Sequence, residues 1–211
     1  IFTGSGQTGR SVMAAAATNL CPVTLELGGK SPAILLDDFP MRTAAERLLF
    51  GKCFHAGQVC TTVDHLYVPE GKVSAFVDMA KTIIHGRYPT LDTADYTSII
   101  DERSFNRITG ALQDAKERGA TLVQLIPGKA WDKKTRKIAP HVVLNAPADC
   151  ELRTREIFGP VLPVIGYTDL EDVITTINSG PRPLALYPFS NHKKKIQHLI
   201  THVMSGGVTV N

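Results

Sequence analysis

Helical and extended sequence patterns alternate along almost the whole chain, and this alternation limits the fold more than any other feature. Segments with apolar residues at helical spacing, such as Thr43–Phe54, separate short apolar runs such as Ala33–Leu36. Strands that alternate with helices pair in parallel, because each helix carries the chain back to the edge where the next strand starts. The sequence therefore predicts an α/β fold with a largely parallel sheet and flanking helices.

The pattern assigns most of the chain to individual elements. The predicted strands are Val23–Leu27, Ala33–Leu36, Leu66–Val68, Thr121–Ile126, Val142–Leu144, Val161–Ile165, Leu184–Phe189 and Val208–Val210. The predicted helices are Arg10–Asn19, Thr43–Phe54, Val73–Ile84, Arg103–Arg118, Leu170–Ile177 and Lys194–Val203. Residues 127–140 hold glycine, proline and four lysines, which predicts an exposed loop. The chain starts without Met and stops within an apparent strand, so we expect a fragment of a longer protein.

Composition and charge exclude several classes of protein. The net charge of +3 is small and the densest basic run is Lys193–Lys195, so we expect a solvated helix face and no nucleic-acid partner. No run of 18 apolar residues is present, so we expect no membrane partner. Cys21, Cys53, Cys60 and Cys150 form no C-x-x-C pair, and the seven histidines show no ligand spacing. We therefore expect no metal site and a reducing, cytoplasmic location.

The glycine-rich stretch Gly4–Ser11 has three interpretations. It is one residue away from the P-loop pattern G-x-x-x-x-G-K-[ST], with Arg10 where a P-loop has its phosphate-binding lysine. The same stretch contains G-x-G-x-x-G, and Glu26 follows at a distance that suits a ribose-binding acid. In the third interpretation it is the phosphate loop of an enzyme whose catalytic residues lie farther along the chain. A glycine turn that only caps the predicted helix is a purely structural alternative.

Four motifs in order give the chain a resemblance to a known family. They are Phe2–Gly9 (F-T-G-S-x-x-x-G), LELGGKSP at 25–32, HAGQVCTT at 55–62 and EIFGP at 156–160. In this order and at similar separations they resemble the motifs of the aldehyde dehydrogenase superfamily, from one end of the chain to the other. The resemblance implies a nucleotide phosphate loop at Gly4–Ser11, rather than a P-loop or a true dinucleotide fingerprint.

The resemblance also implies roles for individual residues. Cys60 would be the nucleophile that forms a thiohemiacetal and then a thioester with an aldehyde, and its N–H group would supply half of the oxyanion hole. Glu26 would be the general base, made more basic by desolvation among its apolar neighbours. Glu156 would bind the nicotinamide ribose of NAD or NADP, and Phe158 would lie beside the nicotinamide ring. The cofactor phosphates and adjoining groups would contact Gly4, Ser5, Gly9 and Leu27.

Two C-terminal segments resemble one branch of that family. Residues 183–190 (PLALYPFS) and 206–211 (GGVTVN) are similar to the branch of class 3 and coniferyl aldehyde dehydrogenases. This implies a medium or aromatic aldehyde substrate, NAD or NADP as cofactor and a homodimer in the full-length protein. Residues 1–27 would then be the end of the NAD(P)-binding domain, and 28–211 the catalytic domain without its oligomerisation tail. Arg155 departs from the acid that relatives often carry there.

The residues alone leave other functions open. Gly4–Ser11 could belong to a nucleotide-binding module of the P-loop kind, which would bind ATP with magnesium. Cys60 could serve a cofactor-independent cysteine hydrolase if a histidine lies beside it in space, and His55 is near it in sequence. The family resemblance also implies that an asparagine and a lysine lie upstream of the phosphate loop. We therefore expect the isolated 211-residue chain to be inactive.

Overall fold

A computed structural model of the protein describes residues 1–211. The strands are β1 Phe2–Gly4, β2 Leu25–Leu27, β3 Pro32–Leu35, β4 His65–Pro69, β5 Thr121–Gln124, β6 Trp131–Asp132, β7 Lys137–Ile138, β8 His141–Leu144, β9 Val161–Tyr167, β10 Ala185–Phe189 and β11 Gly207–Val208. The helices are α1 Gly6–Thr18, α2 Met41–Cys53, α3 Val73–Arg87, α4 Glu102–Glu117, α5 Glu151–Thr154, α6 Leu170–Ser179 and α7 Lys193–His202.

Seven strands form one sheet in the order β11–β10–β3–β4–β9–β8–β5. Every neighbouring pair in it is parallel except β5 with β8, which is antiparallel. Two small sheets stand apart: β1 pairs with β2 in parallel, and β6 with β7 in antiparallel fashion. The predicted α/β class with a largely parallel sheet and flanking helices is confirmed.

Alternate residues of the central strands face opposite sides of the sheet, and both sides are covered. Leu35 lies in the larger core cluster with apolar residues of α2, α3 and α4. Its neighbour Ile34 lies in a second cluster with apolar residues of α6 and α7. A sheet buried on both faces needs continuous apolar runs, and this explains why β3 and β4 carry them.

Several predicted boundaries differ from the structure for identifiable reasons. Helix α1 begins at Gly6 rather than Arg10, because Ser5 caps it by accepting a hydrogen bond from the N–H of Thr8. The predicted exposed loop 127–140 is wrong in part. It contains the hairpin β6–β7, and Ile138 at its end is fully buried in the larger core cluster.

The order of the strands brings three of the motifs together. The segments containing Gly28, Cys60 and Glu156 lead directly into β3, β4 and β9, which are adjacent parallel strands. Parallel neighbours start at the same edge of a sheet, so the three entering loops meet at the amino ends of these strands. Ligands of open α/β sheets usually bind at the carboxyl ends. The candidate site described next lies at the opposite edge.

Candidate active site

Cys60 follows a strained turn after helix α2. Three consecutive residues there have positive φ: His55 at 49°, Ala56 at 52° and Gly57 at 74°. Residues other than glycine rarely adopt a positive φ, and such a conformation persists only where the surrounding structure imposes it. The turn redirects the chain from the end of the helix to the edge of the sheet, so that Cys60 lies at the surface.

The thiol of Cys60 is exposed and unpaired. Its turn is closed by a hydrogen bond of 2.9 Å from the N–H of Thr62 to the carbonyl oxygen of Val59. The hydroxyl of Thr62 also donates to the carbonyl oxygen of Gly51 in helix α2, at 3.1 Å. The N–H of Cys60 itself donates to no acceptor within the chain. A fixed turn therefore presents a free thiol and a free backbone donor at one point.

The Cys60 segment is packed directly against the segment that contains Glu156. A Cβ atom added to Gly57 would lie 2.3 Å from the carbonyl oxygen of Gly159, so only glycine fits between the two backbones. The side chain of Gln58 also donates to the carbonyl oxygen of Ser98 at 3.0 Å. The glycine and the glutamine of G-Q-V-C thus have structural roles on either side of the turn.

The Glu156 carboxylate lies over the backbone of the glycine pair that follows β2. A Cβ atom at Gly28 would be 2.1 Å from Oε1 of Glu156, so the absence of a side chain there makes room for the carboxylate. Burial raises the pKa of Glu156, and the N–H of Gly29 partly offsets the rise. Phe158 lies two residues further on, with a φ of +48° and a ring that is partly exposed.

A buried ion pair joins all three segments. The ammonium of Lys30 pairs with Asp64 and also donates to the carbonyl oxygens of Leu152 and Arg155, at 3.0 and 3.1 Å. The other carboxylate oxygen of Asp64 accepts a hydrogen bond of 2.9 Å from the N–H of Ile157. Lys30 belongs to the L-G-G-K segment and Asp64 to the segment after Cys60, so the pair fixes both against the Glu156 loop.

The buried charges of this cluster shift one another's pKa. Burial by itself would raise the pKa of Asp64, but the Lys30 ammonium and the His65 ring hold it well below its usual range. Burial lowers the pKa of Lys52 to about 8, although the attraction of Asp64 opposes the change. The ammonium of Lys52 donates to the carbonyl oxygen of Val63 at 2.9 Å. It thereby fixes the strand entrance just beyond Cys60.

Glu26 lies in β2 opposite Thr3, and its side chain is exposed. The expected desolvation by apolar neighbours is therefore wrong, because no part of the chain covers this face of the two-stranded sheet. Glu26 makes no hydrogen bond to Cys60 or to any other side chain. It lies two residues before Gly28 and therefore belongs to the segment on which the Glu156 carboxylate rests.

The phosphate-loop residues surround the amino end of helix α1. The helix has no acidic residue in its first turn, and the N–H groups of Gly6 and Gln7 have no acceptor within the helix. Gly9 is buried, and a Cβ atom there would lie 3.0 Å from Leu27, so this glycine allows α1 to pack against β2. A free, positively polarised helix end fits the phosphates of a nucleotide cofactor.

A cavity of about 360 Å³ lies beside Cys60, between helix α2 and strand β10. Its wall includes Val59 and Thr61, the two residues that flank Cys60, and the apolar surfaces of Phe54 and Tyr187. The hydroxyl of Tyr187 donates to the carbonyl oxygen of Thr61. Burial raises the pKa of Tyr187, and a negative charge on the nearby Cys60 would raise it further. The cavity thus provides a largely apolar space beside the segment that carries Cys60, whose own side chain is not part of the wall.

No histidine contacts Cys60 in a way that would support a hydrolase. The ring of His55 packs against Phe54, with centroids 4.2 Å apart, and His65 is buried against Asp64. Neither donates to or accepts from the thiol.

No group of three or more His, Cys, Asp or Glu residues is arranged to hold a metal ion. None of the helices has the length and apolar character needed to cross a membrane.

Sequence reasoning missed several residues that build the site. Lys52 lies four residues after Leu48 on the apolar side of helix α2, and this position was a signal that it is buried. Asp64 precedes a fully buried strand, which was a weaker signal. The sequence contained no signal for Arg107, because this residue lies on the distant helix α4 and outside every motif. It donates hydrogen bonds to the carbonyl oxygens of Glu156 and Ile157.

Comparison with known proteins gives a consistent result. The family model described as "Aldehyde dehydrogenase family" matches residues 1–211. A "Probable coniferyl aldehyde dehydrogenase" of Pseudomonas aeruginosa is 48% identical over 212 residues, which cover 100% of this chain and 44% of that protein. The "Coniferyl aldehyde dehydrogenase" of Pseudomonas sp. strain HR199 is 40% identical over 214 residues, with the same coverage. The chain thus spans less than half the length of these relatives.

More distant relatives agree with these matches. The rat "Aldehyde dehydrogenase, dimeric NADP-preferring" is 37% identical over 213 residues, covering 100% of this chain and 45% of that protein. A solved structure, the substrate-bound state of Staphylococcus aureus AldH, has a TM-score of 0.92 at 33% identity. The match covers 100% of the present chain and 45% of the Staphylococcus aureus chain. The fold is therefore shared over the full length of the chain.

Proposed function

Because the chain belongs to the aldehyde dehydrogenase family, we propose that it carries the catalytic thiol of an enzyme that oxidises an aldehyde to a carboxylic acid with NAD or NADP. The observation that carries the proposal is the position of Cys60. Its free thiol and free N–H lie on a strained, fixed turn, between an apolar cavity and the Glu156 loop. A substrate whose apolar part enters the cavity could reach both with its carbonyl group.

The residues of the chain supply most of the groups for such a reaction. The exposed Cys60 thiol gives its proton to solvent water, and the thiolate lone pair forms a C–S bond to the aldehyde carbon while the π pair moves to oxygen. The N–H of Cys60 stabilises that oxyanion as half of the oxyanion hole. A nicotinamide nucleotide held by Glu156, Phe158 and the amino end of helix α1 would supply the hydride acceptor that this oxidation requires, and Cys60 would then carry the acyl group as a thioester. Water then attacks the thioester, Glu26 takes a proton from the water, and the Cys60 thiolate leaves.

Several residues are suited to hold the nucleotide. The half-buried Glu156 carboxylate has lone pairs available to accept hydrogen bonds from ribose hydroxyls, and the partly exposed ring of Phe158 offers a face to the nicotinamide. Gly4 and Ser5 leave the amino end of helix α1 open to the phosphates. Leu27 supports that helix through its contact with Gly9.

The architecture supports a division of the chain into two parts. Strands β1 and β2 form a parallel pair that is separate from the seven-stranded sheet. We assign 1–27 to the end of a cofactor-binding domain and 28–211 to a catalytic domain. The rat relative named as dimeric supports a homodimer for the full-length protein, and four unpaired cysteines support a reducing, cytoplasmic location.

The cavity supports an aromatic substrate. Its volume of about 360 Å³ is within the usual range for small-molecule sites, and Phe54 and Tyr187 can pack against a planar ring. Two relatives are named as coniferyl aldehyde dehydrogenases, the first of them as probable. We therefore propose an aromatic aldehyde of the phenylpropanoid type, such as coniferyl aldehyde, as the substrate.

The test uses a chimera in which this chain replaces the matching segment of the Pseudomonas sp. HR199 relative. We expect it to reduce NAD or NADP in the presence of coniferyl aldehyde, and we expect Cys60→Ser to abolish this activity. Cys21→Ser removes another exposed thiol and is the matched control, which should remain active. A Cys60→Ser variant with the activity of the unmodified chimera would refute the assignment of the nucleophile.

A further inference from the structure

The peptide group that joins Ile157 to Phe158 is held from helix α4, and the peptide before it is held from both sides. Arg107 donates from Nη2 to the carbonyl oxygen of Ile157 at 2.6 Å and from Nη1 to that of Glu156 at 3.4 Å. On the opposite side the N–H of Ile157 donates to Asp64 at 2.9 Å. The backbone between Glu156 and Phe158 is therefore fixed by a buried carboxylate and a guanidinium.

The backbone at this point needs such support. Phe158 follows directly and has a φ of +48°, a conformation that bulky residues rarely adopt without constraints from their surroundings. Helix α4 also supports the next residue, because a Cβ atom at Gly159 would lie 2.6 Å from the side chain of Ile108. Arg107 and Ile108 are thus neighbours on one helix that contact consecutive parts of the loop.

The guanidinium of Arg107 reaches this loop from helix α4 and also forms an ion pair with Glu151. Its side chain is 19% exposed, and its acidic neighbour Glu151 is 3.6 Å away. Arg107 lies far in sequence from every motif of the site. Asp64 begins the approach to β4 only four residues after Cys60, so the two contacts together set the loop relative to the nucleophile.

We propose that Arg107 is a positioning residue that holds Glu156 and Phe158, against Asp64, in the geometry that binds the nicotinamide nucleotide beside Cys60. This inference rests on the proposed function, because it assigns Glu156 and Phe158 to the cofactor. Arg107 touches neither substrate nor cofactor in this account. Its loss should therefore weaken binding of the nucleotide while the thiol keeps its reactivity.

The experiment compares Arg107→Met with Arg155→Met in the same chimera. Arg155 lies on the same loop, but its guanidinium is 59% exposed and bonds only to Glu151. Binding of NADH is measured by fluorescence titration, and the reactivity of Cys60 by its alkylation with iodoacetamide in the absence of cofactor. Because two hydrogen bonds are lost, we expect Arg107→Met to raise the Kd for NADH about tenfold. The rate of Cys60 alkylation should stay within about twofold of that of the unmodified chimera. Arg155→Met should change neither the Kd for NADH nor the alkylation rate.

A second variant tests the inference even if Arg107→Met does not fold. Arg107→Lys keeps the charge and the aliphatic stem but has a single donor group, so we expect an intermediate Kd, about threefold above that of the unmodified chimera. An unchanged Kd in a folded Arg107 variant would overturn the inference, and so would an equal loss of NADH binding and thiol reactivity. If the unmodified chimera oxidises aldehydes and its Arg107→Met variant binds NADH with an unchanged Kd, the role of Arg107 is refuted but the proposed function is not. An unmodified chimera without activity refutes the proposed function.

Discussion

The contact between Gly57 and Gly159 allows a quantitative test of how the Cys60 turn is built. In Gly57→Ala the new Cβ atom would lie 2.3 Å from the carbonyl oxygen and 2.6 Å from the carbonyl carbon of Gly159. It would also lie 3.1 Å from the carbonyl oxygen of Lys52. All three are backbone atoms, which cannot rotate away as a side chain can, so the Cys60 turn and the Glu156 loop must move apart.

Two costs contribute to the expected loss of stability. Alanine at a φ of +74° costs about 1–2 kcal/mol relative to glycine. Overpacking in a rigid environment costs about 1–3 kcal/mol more. The total of about 2–5 kcal/mol corresponds to a decrease in Tm of roughly 4–20 °C for a chain of this size.

The assay is thermal unfolding followed by circular dichroism, with Gly110→Ala as the matched control. Gly110 lies inside helix α4, and a Cβ atom there would have no neighbour within 4 Å. The control should therefore gain about 0.5–1 kcal/mol from the better helix propensity of alanine. Alkylation of Cys60 should change in Gly57→Ala and not in the control. A Gly57→Ala variant that unfolds within about 2 °C of the unmodified protein would show that the close contact does not constrain the turn.

Three further measurements test the charges and thiols of the site. Burial lowers the pKa of Lys52 in the folded protein to about 8, below its value in the unfolded chain. Below pH 8 the charged ammonium therefore lowers the free energy of unfolding by about 3 kcal/mol. The stability of the unmodified protein relative to Lys52→Met should therefore rise between pH 8 and 10, and a constant difference in urea unfolding would contradict this. Iodoacetamide should label Cys60 well before the buried Cys53 and Cys150, as read by mass spectrometry, and equal rates in a folded sample would disprove a presented thiol. In the chimera, Glu26→Gln should slow deacylation most and produce a burst of NADH, while an unchanged steady-state rate would remove Glu26 from the role of base.

The fold class was predictable from the sequence because the signal for it is local. An apolar run such as Ala33–Leu36 indicates a buried strand, and helical spacing such as that of Val73–Ile84 indicates a helix with one buried face. The structure has a strand at the first and a helix at the second. The order of the strands was not predictable, since nothing local specifies that β3, β4 and β9 are neighbours or that β5 runs antiparallel. The hairpin within 127–140 was missed because Lys133 and Lys134 in its turn are exposed and polar, while Ile138 is buried.

The same distinction holds for the site. The motif residues were identified by a resemblance in sequence, and the sequence could not supply their surroundings. The exposure of Glu26 depends on what covers β2, and the burial of Lys52 depends on how helix α2 packs on the sheet. Arg107 contacts the Glu156 loop only because α4 lies beside it in the folded chain. Such long-range contacts leave no periodic or compositional signal.

The glycines of the motifs serve contacts between segments of the chain as well as space for a ligand. Gly28 leaves room for the Glu156 carboxylate, and Gly57 leaves room for the carbonyl oxygen of Gly159. Each contact joins two of the three loops that enter β3, β4 and β9, and the Lys30–Asp64 pair joins all three. The loops therefore specify one another's positions within this chain. It follows that the geometry around Cys60 is largely set before any cofactor binds, and that a change in one motif will be transmitted to the other two.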